Sequence, residues 1–214
     1  MKNEVTIRRG ESSDLPYLYD ICLRTGDNGK DASPLYRDPF LVGQYFAAPY
    51  LFFPGGIVFI AEEDLRPKGY ILAVPDTREF NRWMEAEWLP PLRRRHPLPG
   101  AADRPPWSGA AGSALELWLI SQIQKPHLPP TGKTALLLDS YPAHLHIDLL
   151  PDIQGKGWGR SLMGTLFGEL RRQGIPGLHL GVSAENTGAI LFYGKMGFTV
   201  LEEETGGKTL GKKL

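Results

Sequence analysis

The stretch PDIQGKGWGRSL, residues 151–162, decides how the rest of this chain is read. Three glycines and a lysine stand between an apolar run, AHLHIDLL at 143–150, and a segment with helical spacing over about Lys156 to Gln173. A strand ending near Pro151, with Gly155, Gly157 and Gly159 at the mouth of a helix, gathers unpaired backbone N–H groups where a diphosphate can lie. Helix N-termini favour anions because their donors are unsatisfied and their dipole end is positive. Gln154 adds an amide, and Lys156 and Arg160 add cations within one turn. A Walker loop needs Ser or Thr after Gly-Lys, but Gly157 stands there, with no earlier glycine at the required spacing. The dinucleotide fingerprint GxGxxG does not fit the spacing of GKGWG either. A tight strand-to-helix turn that uses glycine for packing alone stays open at this level.

Outward from the loop, the bulk composition narrows the field. The 214 residues suit one domain with an insertion, or two small domains. Lys and Arg total 24, as do Asp and Glu, so no long-range field gathers nucleic acid or an acidic membrane. The single cysteine, Cys22, excludes an intrachain disulfide and favours a reducing compartment. No run of about 18 apolar residues and no apolar leader is present, and the expectation is a soluble, cytoplasmic protein. Oligomeric state is unreadable from one chain.

Toward the N-terminus, Val5 to Arg8 reads as a strand, Ser12, Ser13 and Asp14 offer a helix cap, and Leu15 to Leu23 has helical spacing. The turn-rich TGDNGKD, 25–31, ends that helix and is expected near a cleft. LVGQYFA reads as a short helix, and GGIVFIAEED and KGYILAVPD as two strands joined by a polar turn. Between about 77 and 140 tryptophans, prolines and the Arg93–Arg95 run crowd together as an insertion. In it REFNRWMEAEWLPPL is expected to be a helix stopped at Pro90, SALELWLISQI a helix or a buried strand, and HPLPGAADRPPWSG a loop. The arginine run is expected to be a solvated helix end rather than a phosphate contact. After the glycine loop and its helix come LHLGVS as a strand, ENTGAILFYGKMGF as a helix ended by Gly197, and a closing hairpin or strand.

Gln154-Gly155-Lys156-Gly157-Trp158-Gly159 resembles the Q/R-x-x-G-x-G/A signature of the GCN5-related N-acetyltransferases (GNAT), whose loop holds the pyrophosphate of acetyl-CoA. The order of the preceding strand, the helix LMGTLFGELRRQG, the strand LHLGV, Asn186, Tyr193 and Gly197-Phe198 is similar too. The likeness is strong over Tyr141 to Glu203 and only pattern-level over 3–76. It implies an α/β fold of one domain, 1–214, with a central mixed, mostly antiparallel sheet flanked by helices and splayed at the fourth and fifth strands. HIDLL, SLMGTLFGELRRQGIPGLHLGV, ILFYGKMGF and the terminal TLGKKL are also similar to the acetyltransferase-like C-terminal domain of O-GlcNAc-removing hydrolases. In animals that domain is considered a pseudo-acetyltransferase that lost the loop. This chain keeps it, which implies that cofactor binding survives, and its 214 residues are too few to carry the hydrolase barrel as well, which implies a free-standing bacterial-type relative.

The resemblance implies that pantetheine enters between LHIDLL and LHLGVS, held by backbone groups near Leu149 and Leu150, one of whose N–H groups polarises the thioester carbonyl. Tyr193 takes the place of the family's tyrosine acid at the departing thiolate, and Asn186 bonds pantetheine or caps the last helix. Trp158 packs over the cofactor or against the insertion. Alternation along AHLHIDLL sends Leu145, Ile147 and Leu149 to one face and His144, His146 and Asp148 to the other. Asp148 is the first candidate for general base, because the hydrolase-associated relatives carry an aspartate there, and His146 is the alternative base or orienter. HxHxD lacks the further histidine of a metallo-hydrolase run, so no metal is expected; a polar cross-strand network remains an alternative for the histidines. The expected reaction is direct attack of an unidentified, amine-type acceptor on acetyl-CoA in a ternary complex. A non-catalytic acyl-CoA-binding or interaction module is the alternative.

Overall fold

A computed structural model describes residues 5–98 and 113–214. Seven strands form one sheet in the order β1-β2-β3-β4-β5-β7-β6, with β1 Val5–Arg9, β2 Ile57–Glu63, β3 Arg66–Val74, β4 Ala143–Leu149, β5 Gly177–Ser183, β6 Thr199–Glu204 and β7 Gly207–Lys213. Every pairing is antiparallel except β4–β5, the expected mixed sheet. The β2–β3 hairpin closes through Asp64 and Leu65, both at positive φ, the backbone that suits the strand twist in a two-residue turn.

Alternation along the central strands builds a core on each face. Tyr70, Leu72 and Val74 of β3 join a cluster with Leu18, Ile21 and Cys22 of α1 (Leu15–Thr25), Leu41 and Val42 of α2 (Leu41–Phe46) and Tyr50 of α3 (Ala48–Phe52). Ile71 and Ala73 face the other way, with Leu145, against Leu162, Met163, Leu166 and Leu170 of α8 (Trp158–Arg172). Period-2 strands between two helical layers need this division, since each face of the sheet is apolar.

The segment after β3 adds to the first core. Phe80 of α4 (Thr77–Trp83), Met84 of the π-helical turn Met84–Trp88, Leu89 and Leu92 of α5 (Leu89–Arg95), and Leu119 and Ile123 of α6 (Ala114–Gln124) all join it. Pro90 does not stop the helix as expected. The π turn resets the hydrogen-bonding, so Pro90 and Pro91 fall in the first turn of α5, where a missing N–H costs nothing. SALELWLISQI is a helix capped by Ser113, whose Oγ accepts from Glu116 N at 3.1 Å. A further helix, α7 (Gly132–Ser140), leads into β4. Trp107 and the expected loop from residue 99 on lie outside the described residues.

Arg93 is a tie rather than a solvated helix end. Its guanidinium donates to both Glu85 carboxylate oxygens at 2.5 and 2.7 Å and to the carbonyls of Ile123 and Lys125, each at 2.9 Å. Asp14, expected to cap α1, makes no side-chain cap bond, because its carboxylate takes two Arg8 N–H groups at 2.7 Å and the Glu11 N–H at 2.8 Å. A bidentate guanidinium outcompetes a single helix amide.

Candidate active site

The site is made by two strands that part. Parallel β4 and β5 pair only at Ala143 with Leu178 and His144 with His179, and beyond that fork the strands splay. Leu150 N–H donates to Lys68 O at 2.8 Å. Residues that exchange bonds with one antiparallel neighbour alternate along a strand, so Asp148 and His146 also spend their backbone groups on β3. Beyond the paired residues at the fork, the backbone N–H groups of Ile147 and Leu149 therefore face the gap. Of the two expected donors, Leu149 N–H is offered there, whereas Leu150 N–H is committed to Lys68.

The gap opens into a cleft of about 1260 Å³ lined by β4 from Leu145 to Leu149, Gly181 to Ser183 of β5, and the glycine loop. Gly155 and Gly157 lie at φ +70° and +93° with open space where a Cβ would go, so their requirement is conformational. Gly159 differs: a Cβ there would meet the Phe192 ring at 3.1 Å, so it lets α8 approach α9 (Thr187–Lys195). Helix α8 opens with no side-chain cap and no acid in its first turn, leaving its leading amides for an anion. Gln154, Gly155, Gly157, Gly159 and Arg160 line the cleft. The Gln154 amide also braces the loop, donating to Leu149 O at 2.7 Å. Lys156 is exposed, with its Nζ 4.0 Å from Glu63, and Trp158 is half-buried against the α8-side core. Asn186 caps α9, accepting from Ala189 N at 3.0 Å, and also lines the cleft.

On the floor, His144, His146 and Asp148 share one face of β4, but their roles separate. Thr77 Oγ1 donates to Pro142 O at 2.7 Å and lies 2.8 Å from His144 Nδ1, so that nitrogen carries the proton; His144 Nε2 then accepts from Tyr50 Oη at 2.7 Å. Both His144 nitrogens are thus satisfied in the neutral ring, and burial holds its pKa well below the ordinary value. His146 also lines the cleft, with the Phe46 and Tyr50 rings edge-on to it at 5.6 and 5.4 Å. Burial pulls its pKa down to about 4, so it is neutral at pH 7.

Asp148 stands across the ladder from Tyr70, with Thr25 nearby. Burial pushes its carboxyl above the ordinary carboxylate range, and the Tyr70 and Thr25 hydroxyls only partly oppose that rise. Tyr70 Oη is buried and has no hydrogen bond of good geometry. Burial, and then the Asp148 charge, push the Tyr193 phenol up, keeping its proton in place at neutral pH. Burial likewise raises the Cys22 thiol, and the Asp148 charge adds to it; the thiol lines the same cleft. Thr25 and Tyr70 were missed in the sequence, because only the β3–β4 register and the α1 docking bring them to Asp148. The TGDNGKD turn does line the cleft, from Thr25 to Lys30, and the insertion adds Leu115 and a half-exposed Trp118.

Comparison with known proteins agrees with this geometry. The sequence model of the acetyltransferase (GNAT) family matches residues 132–198, which span the fork, the loop and α9. The [ribosomal protein bS18]-alanine N-acetyltransferase of Escherichia coli (strain K12) is 34% identical over 96 residues, covering 44% of this chain and 64% of that protein. The crystal structure of SsHAT is 32% identical, with 98% of both chains covered and a TM-score of 0.81. The PaiA N-acetyltransferase from Thermoplasma acidophilum, solved in complex with coenzyme A, shares the fold with a TM-score of 0.55 at 15% identity, covering 99% of both chains. With its splayed β4–β5 fork and glycine loop inside the matched segment, and a relative of this identity over nearly its whole length, the chain belongs to the GNAT family of acetyltransferases.

Proposed function

We propose that the chain is one domain, with an insertion at about 77–140, that binds acetyl-CoA in the β4–β5 gap and transfers its acetyl group to an amine. The observation that carries this reading is the fork itself, with its gap-facing Leu149 N–H at one side and an uncapped helix N-terminus at the loop end. Acetyl-CoA supplies an acetyl group activated as a thioester. Gly155, Gly157, Gly159 and the α8 amides hold its diphosphate, with Lys156 and Arg160 adding charge, and Gln154 keeping the loop folded. Trp158, packed on the α8-side core, and Asn186, which caps α9, support this cradle. Leu149 N–H, turned to the gap, would stabilise the charge that develops on the carbonyl oxygen.

Asp148 takes the proton from the incoming ammonium. Its raised pKa suits that task, since a carboxylate of ordinary basicity is a poor match to an amine. His146, neutral and open to the cleft, orients the amine or relays the proton. Tyr193, held protonated, donates to the departing thiolate. The raised Cys22 thiol is a poor nucleophile, which supports direct attack in a ternary complex over an acyl-enzyme.

The acceptor is of amine type, in a cytoplasmic setting without nucleic acid or membrane. The kinship with the O-GlcNAc hydrolase C-terminal domain belongs to this proposal and rests on the quoted motifs. The non-catalytic reading is not favoured, because the cleft is open and carries a base candidate and an acid candidate. The test is thiol release from acetyl-CoA with a panel of amines and peptides: turnover with any acceptor, lost in Tyr193→Phe, supports the reading. Acetyl-CoA binding without turnover on any acceptor counts against it.

A further inference from the structure

We infer that the donor site admits neutral acyl groups longer than acetyl, in a side chamber at the closed end of the fork. This rests on the acetyl-CoA reading and extends its donor range. The cleft extends from the glycine loop along β4 from Leu149 to Leu145, about 13 Å of strand, and a carrier arm held by its diphosphate at the loop would run that way. Its acyl terminus thus points at the fork, where His144 and His179 close the gap.

A second cavity of about 240 Å³ lies there and shares Phe46, Leu145, His146 and Gly181 with the main cleft. Tyr45, Tyr50, Phe80, Met84 and Leu180 give it apolar walls beside Thr77, Asn81 and four histidines, and among the described residues no Asp, Glu, Lys or Arg lines it. Its histidines are neutral at pH 7, because burial lowers His144, His146, His179 and His127 alike. Such a chamber stabilises a straight-chain or aromatic acyl group by removing it from water and offers no cation to an acyl carboxylate. A methyl group alone leaves it largely unfilled. The insertion supplies Phe80, Asn81, Met84 and His127, so it sets donor length here.

The test is competitive calorimetry of the whole chain with CoA, acetyl-CoA, propionyl-CoA, butyryl-CoA and succinyl-CoA. Each buried CH2 is worth about fourfold in affinity, so butyryl-CoA should bind on the order of fifteenfold tighter than acetyl-CoA. Succinyl-CoA should lose most of that gain. Asn81→Trp, which fills the chamber from α4, should remove the gain and leave CoA binding unchanged. Affinity that stays flat or falls from acetyl to butyryl overturns the inference, whatever the variant does. Failure of CoA itself to bind removes the cofactor reading with it, so the two failures are distinguishable.

Discussion

Acidification from pH 7 to pH 5 should cost the fold about 2 kcal/mol through His146 alone. The ring sits among Phe46, Tyr50 and His144, whose centroids lie 5.6, 5.4 and 6.4 Å away, and burial pulls its pKa down to about 4. In the unfolded chain the value is about 6.5. A folded-state pKa below the unfolded one contributes stability above pH 6.5 that is lost as pH falls toward 4. At pH 5 the folded ring is still largely neutral while the unfolded ring is charged. About 1.5 pH units at about 1.36 kcal/mol each then gives the figure. His144, His179, His127 and His96 shift the same way and add to the loss, so the comparison needs a variant. His146→Phe keeps an aromatic ring among aromatic neighbours and removes only the titration. Urea unfolding of both proteins at pH 7 and pH 5 measures it: the variant should lose about 2 kcal/mol less than the wild type. Equal losses would refute a ring held neutral by its half-buried, aromatic surroundings.

Asp148 shifts the other way. Its raised carboxyl contributes stability below the unfolded value, near 3.9, that is lost as pH rises, so Asp148→Asn should melt at a higher temperature at pH 7 while activity falls. A lower melting temperature would contradict a buried charge at this position. Tyr193→Phe should lower kcat on the order of a hundredfold with acetyl-CoA affinity kept, which single-turnover rates and calorimetry separate. Gly157→Ala should lower stability by about 1–2 kcal/mol in chemical denaturation, because φ +93° strains any L side chain even though no atom blocks the Cβ. Arg93→Ala leaves the Ile123 and Lys125 carbonyls and the Glu85 carboxylate short of donors, and a loss of about 1–3 kcal/mol is expected by the same assay.

The sheet and the loop were legible because their signals are local. Alternation marked β1 and β4, apolar runs bounded by turn residues marked β2, β3 and β5, and the glycines at 155 and 157 do sit at the positive φ angles that a strand-to-helix turn demands. Alternation also placed His144, His146 and Asp148 on one face. What it did not carry was which of them is free: Thr77 and Tyr50 occupy both His144 nitrogens from 67 and 94 residues away. Gly159 reads like its neighbours in sequence, yet its constraint is the Phe192 ring on another helix. The commitment of Leu150 N–H to Lys68 follows from register alone, and register depends on pairings that no short window contains. In the insertion, Pro90 was a sound stop signal overridden by a π turn that moved it into a first turn.

The central claim, that the β4–β5 gap and the glycine loop form an acetyl-CoA site, is tested most directly by calorimetric titration of the wild type and Gly157→Asp with acetyl-CoA. The account predicts one site with a dissociation constant between about 1 μM and 1 mM, and at least tenfold weaker binding once a carboxylate stands at the α8 N-terminus. No heat from a folded wild-type sample, or equal affinity in the variant, would contradict it.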